Sequence, residues 1–166
     1  ALCSPTRAAL LSGRNHHQVN VGRVMEIATG FPGNQGERTN RAQYFAETLR
    51  HNGYSTAAFG KWHETPTWEV SVSGPYDRWP TYSGFDRFYG ILNGSGSFYD
   101  PVLLMDQETF IRAEDPNYNF TDAVSDHAIE MIRESSGSEK PFFLYLGYTA
   151  PHWPLHAPEE DIALYE

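Results

Sequence analysis

Five residues of this 166-residue chain have types and neighbours that suit chemistry: Cys3, Arg7, Lys61, His63 and His152. Cys3 precedes Ser4-Pro5-Thr6-Arg7, which reads as the start of a helix. A nucleophile placed there meets free backbone N–H groups and the positive end of the helix dipole. Arg7, one turn on, can fold back toward the same anion. That arrangement suits attack on an anionic ester. A small buried cysteine beside a surface arginine is an equally simple reading of the pair. The Cys-x5-Arg loop of cysteine phosphatases is excluded, because position 9 is Ala9.

Gly60-Lys61-Trp62-His63 contains one of the chain's two lysines, close to a histidine at the end of an expected strand. On an extended segment, side chains two apart share a side, so one can hold an anion while the other moves a proton. A loop lysine and a surface histidine would share this spacing. His152 lies between Pro151 and Pro154, which restrict the local backbone. His156 follows four positions later, but Pro154 argues against the helix that an i, i+4 metal pair needs.

These residues need elements to position them. Ser4 is expected to cap the first helix, with Pro5 at its first position and Gly13 ending it in a left-handed conformation. Residues 15–40 are rich in Gly and Asn and read as irregular. A second helix is expected over 41–51, where Ala42, Phe45, Ala46 and Leu49 share a face and Gly53 closes it. Residues 54–59 read as a buried strand leading to Gly60. Residues 65–116, full of Pro, Gly, Tyr and Trp, read as a surface excursion with only short strands or turns.

The last third repeats the pattern. Val124, His127, Ala128, Met131 and Ile132 mark a helix face with Thr121 as its cap. After a polar break at 135–140, residues 142–148 read as a fully buried strand ending at His152's loop. The fold class expected is α/β, a largely parallel sheet flanked by helices. Both histidine loops then lie beyond the carboxyl ends of strands, where ligands sit in such sheets.

Composition narrows the function classes. Twelve basic against 21 acidic residues leave a net charge of −9, which argues against a nucleic-acid partner. Hydrophobic residues at 40% and charged residues at 20% suit a packed core rather than disorder. No run approaches the roughly 20 apolar residues of a membrane-spanning helix. The single cysteine excludes an internal disulfide framework and a thiolate metal cluster. His16-His17 reads as a polar turn, and His63-Glu64-Thr65-Pro66-Thr67 lacks the second histidine of a zinc-protease motif. Asn93-Gly94-Ser95 and Asn119-Phe120-Thr121 match glycosylation acceptors. Trp79, Tyr82, Phe85, Phe88 and Tyr89 read as packing aromatics.

Cys3-Ser4-Pro5-Thr6-Arg7 with Leu10-Leu11-Ser12-Gly13-Arg14 resembles the sulfatase signature, whose cysteine is oxidised to formylglycine. Ser12 departs from the commoner Thr. Gly60-Lys61-Trp62-His63, Gly84-Phe85-Asp86-Arg87-Phe88-Tyr89-Gly90 and Ala150-Pro151-His152-Trp153-Pro154 match the family in order and context. The similarity runs essentially end to end and is closest to the arylsulfatase branch.

The resemblance implies an alkaline-phosphatase-like α/β sandwich, a Ca2+ ion and a formylglycine-generating maturation enzyme as partner. It implies that Cys3, as formylglycine hydrate, attacks sulfur and ligates the metal. Arg7 would hold the hydrate, and Lys61 would bind sulfate oxygens. His63 would assist the nucleophile and later take the proton that expels sulfate. His152 would bind the ester and protonate the leaving alcohol.

The substrate class implied is a small-molecule or glycan sulfate ester, and the location periplasmic or secreted. Ala1 opens the chain with the signature already under way, so residues 1–166 are expected to be a partial, by itself inactive, catalytic domain. The remaining metal ligands and a second sulfate-binding lysine are expected outside it. Two alternatives stand beside this reading: a phosphonate monoester or phosphodiester hydrolase of the same superfamily, and a non-catalytic sulfated-glycan binder.

Overall fold

A computed structural model describes residues 2–165. Helix α1 spans Cys3–Ser12 and α2 Phe45–His51. Strands β1 (Ser55–Lys61) and β2 (Arg87–Ile91) follow, then β3 (Leu104–Asp106) and β4 (Thr109–Phe110). Helix α3 is Phe120–Ser136, β5 is Phe142–Gly147 and α4 is Glu159–Ile162. The five strands form one sheet in the order β4-β3-β2-β1-β5. β1 runs parallel to both β2 and β5, whereas β3 and β4 add an antiparallel hairpin. The α/β class is as expected; the sheet is mixed rather than largely parallel.

Both faces of β1 are covered, which is why it is buried from Thr56 onward. On one face, Ala57 and Phe59 meet Phe120, Val124, Ala128 and Met131 of α3, together with Tyr89 and Ile91 of β2. Those four α3 residues recur at helical spacing and form its apolar stripe. Ile132, expected on that stripe, is 45% exposed, and His127 stacks its ring on Tyr89. On the other face, Ala58 and Phe88 pack with Leu11 of α1, Ala46 of α2 and Trp62, Trp79 and Phe85. A third cluster of Ala8, Val19, Val21, Met25 and Ala42 anchors the irregular segment against α1.

Several local expectations are corrected. Leu2, extended and with no side-chain cap bond, occupies the cap position of α1. Ser4 is fully buried inside the helix with its Oγ unpartnered, so it cannot be the cap. Gly13 does end α1 in the left-handed region, its N–H bonded to the Ala9 carbonyl. Helix α2 starts at Phe45 rather than Arg41, because Ala42 belongs to the third cluster. Asn119, not Thr121, caps α3: its side chain accepts the Thr121 N–H.

The excursion 65–116 contains β2, which pairs with β1 along its whole length, and the buried aromatics Trp79, Phe85, Phe88, Tyr89 and Phe98. Tyr82 is exposed. β5 ends at Gly147 and is half-buried, because among the described residues it is an edge strand paired with β1 alone.

Candidate active site

The carboxyl ends of β1 and β5 lie side by side, and Gly60 stands in register with both Gly90 and Gly147. Gly60 has φ 105°, and a Cβ there would lie 2.3 Å from the Gly147 carbonyl oxygen. Glycine is required at this point. Just beyond it, Trp62 plunges into the core, its Nε1–H bonded to the Arg78 carbonyl and its ring edge-on to Tyr44 and Phe85. The backbone N–H groups of Trp62 and His63 bond to the carbonyls of Ile91 and Leu92, so the chain stays docked past the strand. Lys61 is thus held on one side of an immobile tryptophan and His63 on the other.

Lys61, the last residue of β1, is 3% exposed. Burial pulls its ammonium below the ordinary lysine range, the neighbouring Cys3 sulfur works against that, and Arg7 adds to it. Arg7 donates through one nitrogen to the Lys61 carbonyl and to the Tyr145 hydroxyl, 2.8 Å away. It is therefore a fixed cation that ties α1 to both strand ends. Gly147 leaves room for it: a Cβ there would lie 2.9 Å from the guanidinium.

His63 has φ 55°, a region that a non-glycine residue enters at a cost of roughly 1–3 kcal/mol and that is common at functional sites. At His63 the backbone departs from the extended geometry expected from Lys61 to His63. The His63 ring is 4% exposed, and its Nε2 lies 2.8 and 3.1 Å from the two carboxylate oxygens of Glu26. Burial lowers its proton affinity, and the Glu26 carboxylate partly restores it. Glu26 in turn is held below the usual carboxylate range by its bond to His63.

Cys3 at the head of α1, His63 after β1 and His152 after β5 open onto one cleft of about 370 Å³. Val24, Glu26, Asn93, Gly94 and Ser95 complete its lining. His152 is exposed and donates from Nδ1 to the Trp153 carbonyl at 2.6 Å, while its backbone N–H bonds to the Thr149 carbonyl. Lys61 and Arg7 stand behind Cys3 rather than on the lining. A larger cleft of about 960 Å³, along Asp100–Leu103 and Phe110–Arg112, contains none of the five expected residues.

Sequence reasoning missed Glu26 and read Asn93-Gly94-Ser95 only as a glycosylation pattern. Glu26 lies in a stretch without periodicity, so no local signal marks it. His156 accepts the Phe98 N–H and stacks on Tyr99, and so braces the loop that carries His152.

Cys3 at a helix head, with two histidines on the same cleft and a buried ammonium behind it, suits attack on an anionic ester. A family model for sulfatases matches residues 1–166. The chain belongs to the sulfatase family. It is 30% identical to an uncharacterised sulfatase of Schizosaccharomyces pombe, over 98% of this chain and 32% of that protein. It is 28% identical to the arylsulfatase of Klebsiella aerogenes, over 97% of this chain and 35% of that protein. Among solved structures, Ps i-CgsB in complex with k-i-k-neocarrahexaose superposes with a TM-score of 0.76 at 28% identity. That match covers 98% of this chain and 37% of the other.

The chain therefore spans about a third of the length of these sulfatases. The calcium ion that the resemblance implies does not fit the residues present. Among the described residues no three His, Cys, Asp or Glu side chains converge as a ligand set, and Ca2+ takes six to eight oxygens.

Proposed function

We propose that this chain carries the nucleophile, sulfate-binding lysine and two proton-transfer histidines of a sulfate-ester hydrolase, with Cys3 converted to formylglycine in the complete protein. The observation that carries this reading is the convergence of Cys3, His63 and His152 on one cleft with Lys61 behind. As a hydrated aldehyde, the residue at position 3 supplies a hydroxyl to attack sulfur and a second one through which the aldehyde re-forms. Lys61 offsets the fixed negative charge of the ester. Arg7, anchored to the Lys61 carbonyl and Tyr145, keeps a second positive charge beside the head of α1.

His63, buried and neutral, accepts a proton. His152, on the open side of the cleft, donates one to the departing oxygen. This chain alone is expected to be inactive. A glycan sulfate suits a cleft lined by His152, whose neighbour Trp153 is exposed, and it accords with the k-i-k-neocarrahexaose bound by Ps i-CgsB.

The test is to produce the full-length protein with a formylglycine-generating enzyme and analyse the peptide bearing position 3 by mass and by aldehyde-reactive labelling. Sulfate and phosphonate esters are then assayed side by side. Formylglycine with a preference for sulfate is expected. A preference for phosphonate esters would move the protein to the phosphonate and phosphodiester hydrolases. An unmodified thiol, under conditions that mature a control sulfatase, would leave a glycan-binding module.

A further inference from the structure

We propose that Glu26 is the positioning residue for His63: its carboxylate accepts the Nε2–H, holds the ring against Gly94 and leaves Nδ1 as the nitrogen that can take a proton. The inference rests on the hydrolase reading for its kinetic consequence and on geometry alone for the tautomer.

Both carboxylate oxygens of Glu26 lie within hydrogen-bond distance of Nε2. A carboxylate can only accept, so Nε2 must carry the proton. A neutral imidazole has one N–H, and the lone pair is then on Nδ1. In the structure Nδ1 is buried and has no partner. The ring plane is set from a second direction, because a Cβ on Gly94 would lie 2.4, 2.7 and 2.9 Å from Cε1, Nε2 and Nδ1. Glycine is the one residue that lets the imidazole lie flat there.

Glu26 is itself well placed to transmit order. It belongs to the short 3-10 turn Met25–Ile27, and Met25 is buried in the cluster that includes Ala8 of α1. The helix that presents Cys3 and the turn that presents Glu26 are thereby packed as one unit.

The experiment uses the full-length matured protein labelled with 15N-histidine, as wild type, Glu26→Ala and Glu26→Gln. Long-range 1H–15N spectra identify which His63 nitrogen carries hydrogen, and kcat and KM are measured on an aryl sulfate. Wild type is expected to show the Nε2–H tautomer. Glu26→Ala should mix the tautomers and lower kcat about 10–100-fold, the usual loss when a partner orienting a site histidine is removed, with KM nearly unchanged. Glu26→Gln, which keeps an acceptor oxygen and the side chain's shape, should restore much of both.

An unaltered Nε2–H tautomer in Glu26→Ala, or an Nδ1–H tautomer in wild type, would overturn the proposal. So would an unchanged kcat in a hydrolytically active protein. If wild type hydrolyses no sulfate ester, the functional reading falls, and the spectra alone still decide the role of Glu26.

Discussion

His152 donates its Nδ1–H to the Trp153 carbonyl, so any proton it gives to substrate must come from Nε2 of the doubly protonated ring. His63 is held the opposite way, by Nε2, and is buried. On the proposed reading, the two histidines take opposite tasks. A nitrophenolate leaves readily without a proton, whereas a sugar alkoxide does not. General-acid help contributes about 10²–10⁴-fold. His152→Ala should lose much of that factor on alkyl or sugar sulfates and distinctly less on nitrophenyl sulfate. His63→Ala should do damage that depends little on the leaving group. The measurement is the slope of log kcat/KM against leaving-group pKa in the full-length enzyme. An unchanged slope in His152→Ala would reduce that residue to a sulfate-binding donor.

At the scale of elements, the site depends on three parallel strands meeting closely at their carboxyl ends. Gly90, Gly60 and Gly147 form a row across β2, β1 and β5 directly below Lys61. Gly60→Ala combines a positive φ with a Cβ aimed at the Gly147 carbonyl. Its removal from the ladder should cost about 2–4 kcal/mol, in the upper range for single substitutions. It should also lower kcat/KM by parting Lys61 from Cys3. Gly137→Ala is the matched control. Gly137 has φ −94° at the end of α3, with nothing within 4 Å of an added Cβ. Denaturation midpoints and kcat/KM of the two variants test this, and equal stabilities would show that the strands can part without penalty.

At the scale of the whole molecule, Glu64 is a buried electrostatic liability. It is fully buried, accepts the Tyr44 hydroxyl and leaves Oε1 unpartnered. Burial pushes its carboxyl up to about 8 from the ordinary 4.5, against the opposing pull of Tyr44, Arg7 and Arg38. The folded form therefore binds this proton more tightly than the unfolded chain. The stability it contributes is fully present below about pH 4.5 and is lost as pH rises toward about 8. The slope is at most ~1.4 kcal/mol per pH unit. Glu64→Gln, permanently neutral, should gain on wild type between pH 5.5 and 8.5 in unfolding midpoints of the full-length protein. An equal difference at both pH values would mean that Glu64 is ionised throughout.

Glu64 was visible in the sequence only as part of a motif that failed, and it shows where local reading stops. The sequence by itself determined the family, through Cys3 to Arg14 and the Lys61, His63 and His152 motifs, and it determined the helices and the two strands that deliver those residues. Each of these signals is local: a spacing, a period or a stop residue within a dozen positions. The tertiary structure decided that β2 lies beside β1, that β5 is an edge, and that Glu26 meets His63 across 37 positions. Periodicity records which face of an element avoids water, not which distant segment covers that face. Only the packed chain places a carboxylate from an aperiodic turn against a ring held flat by a glycine.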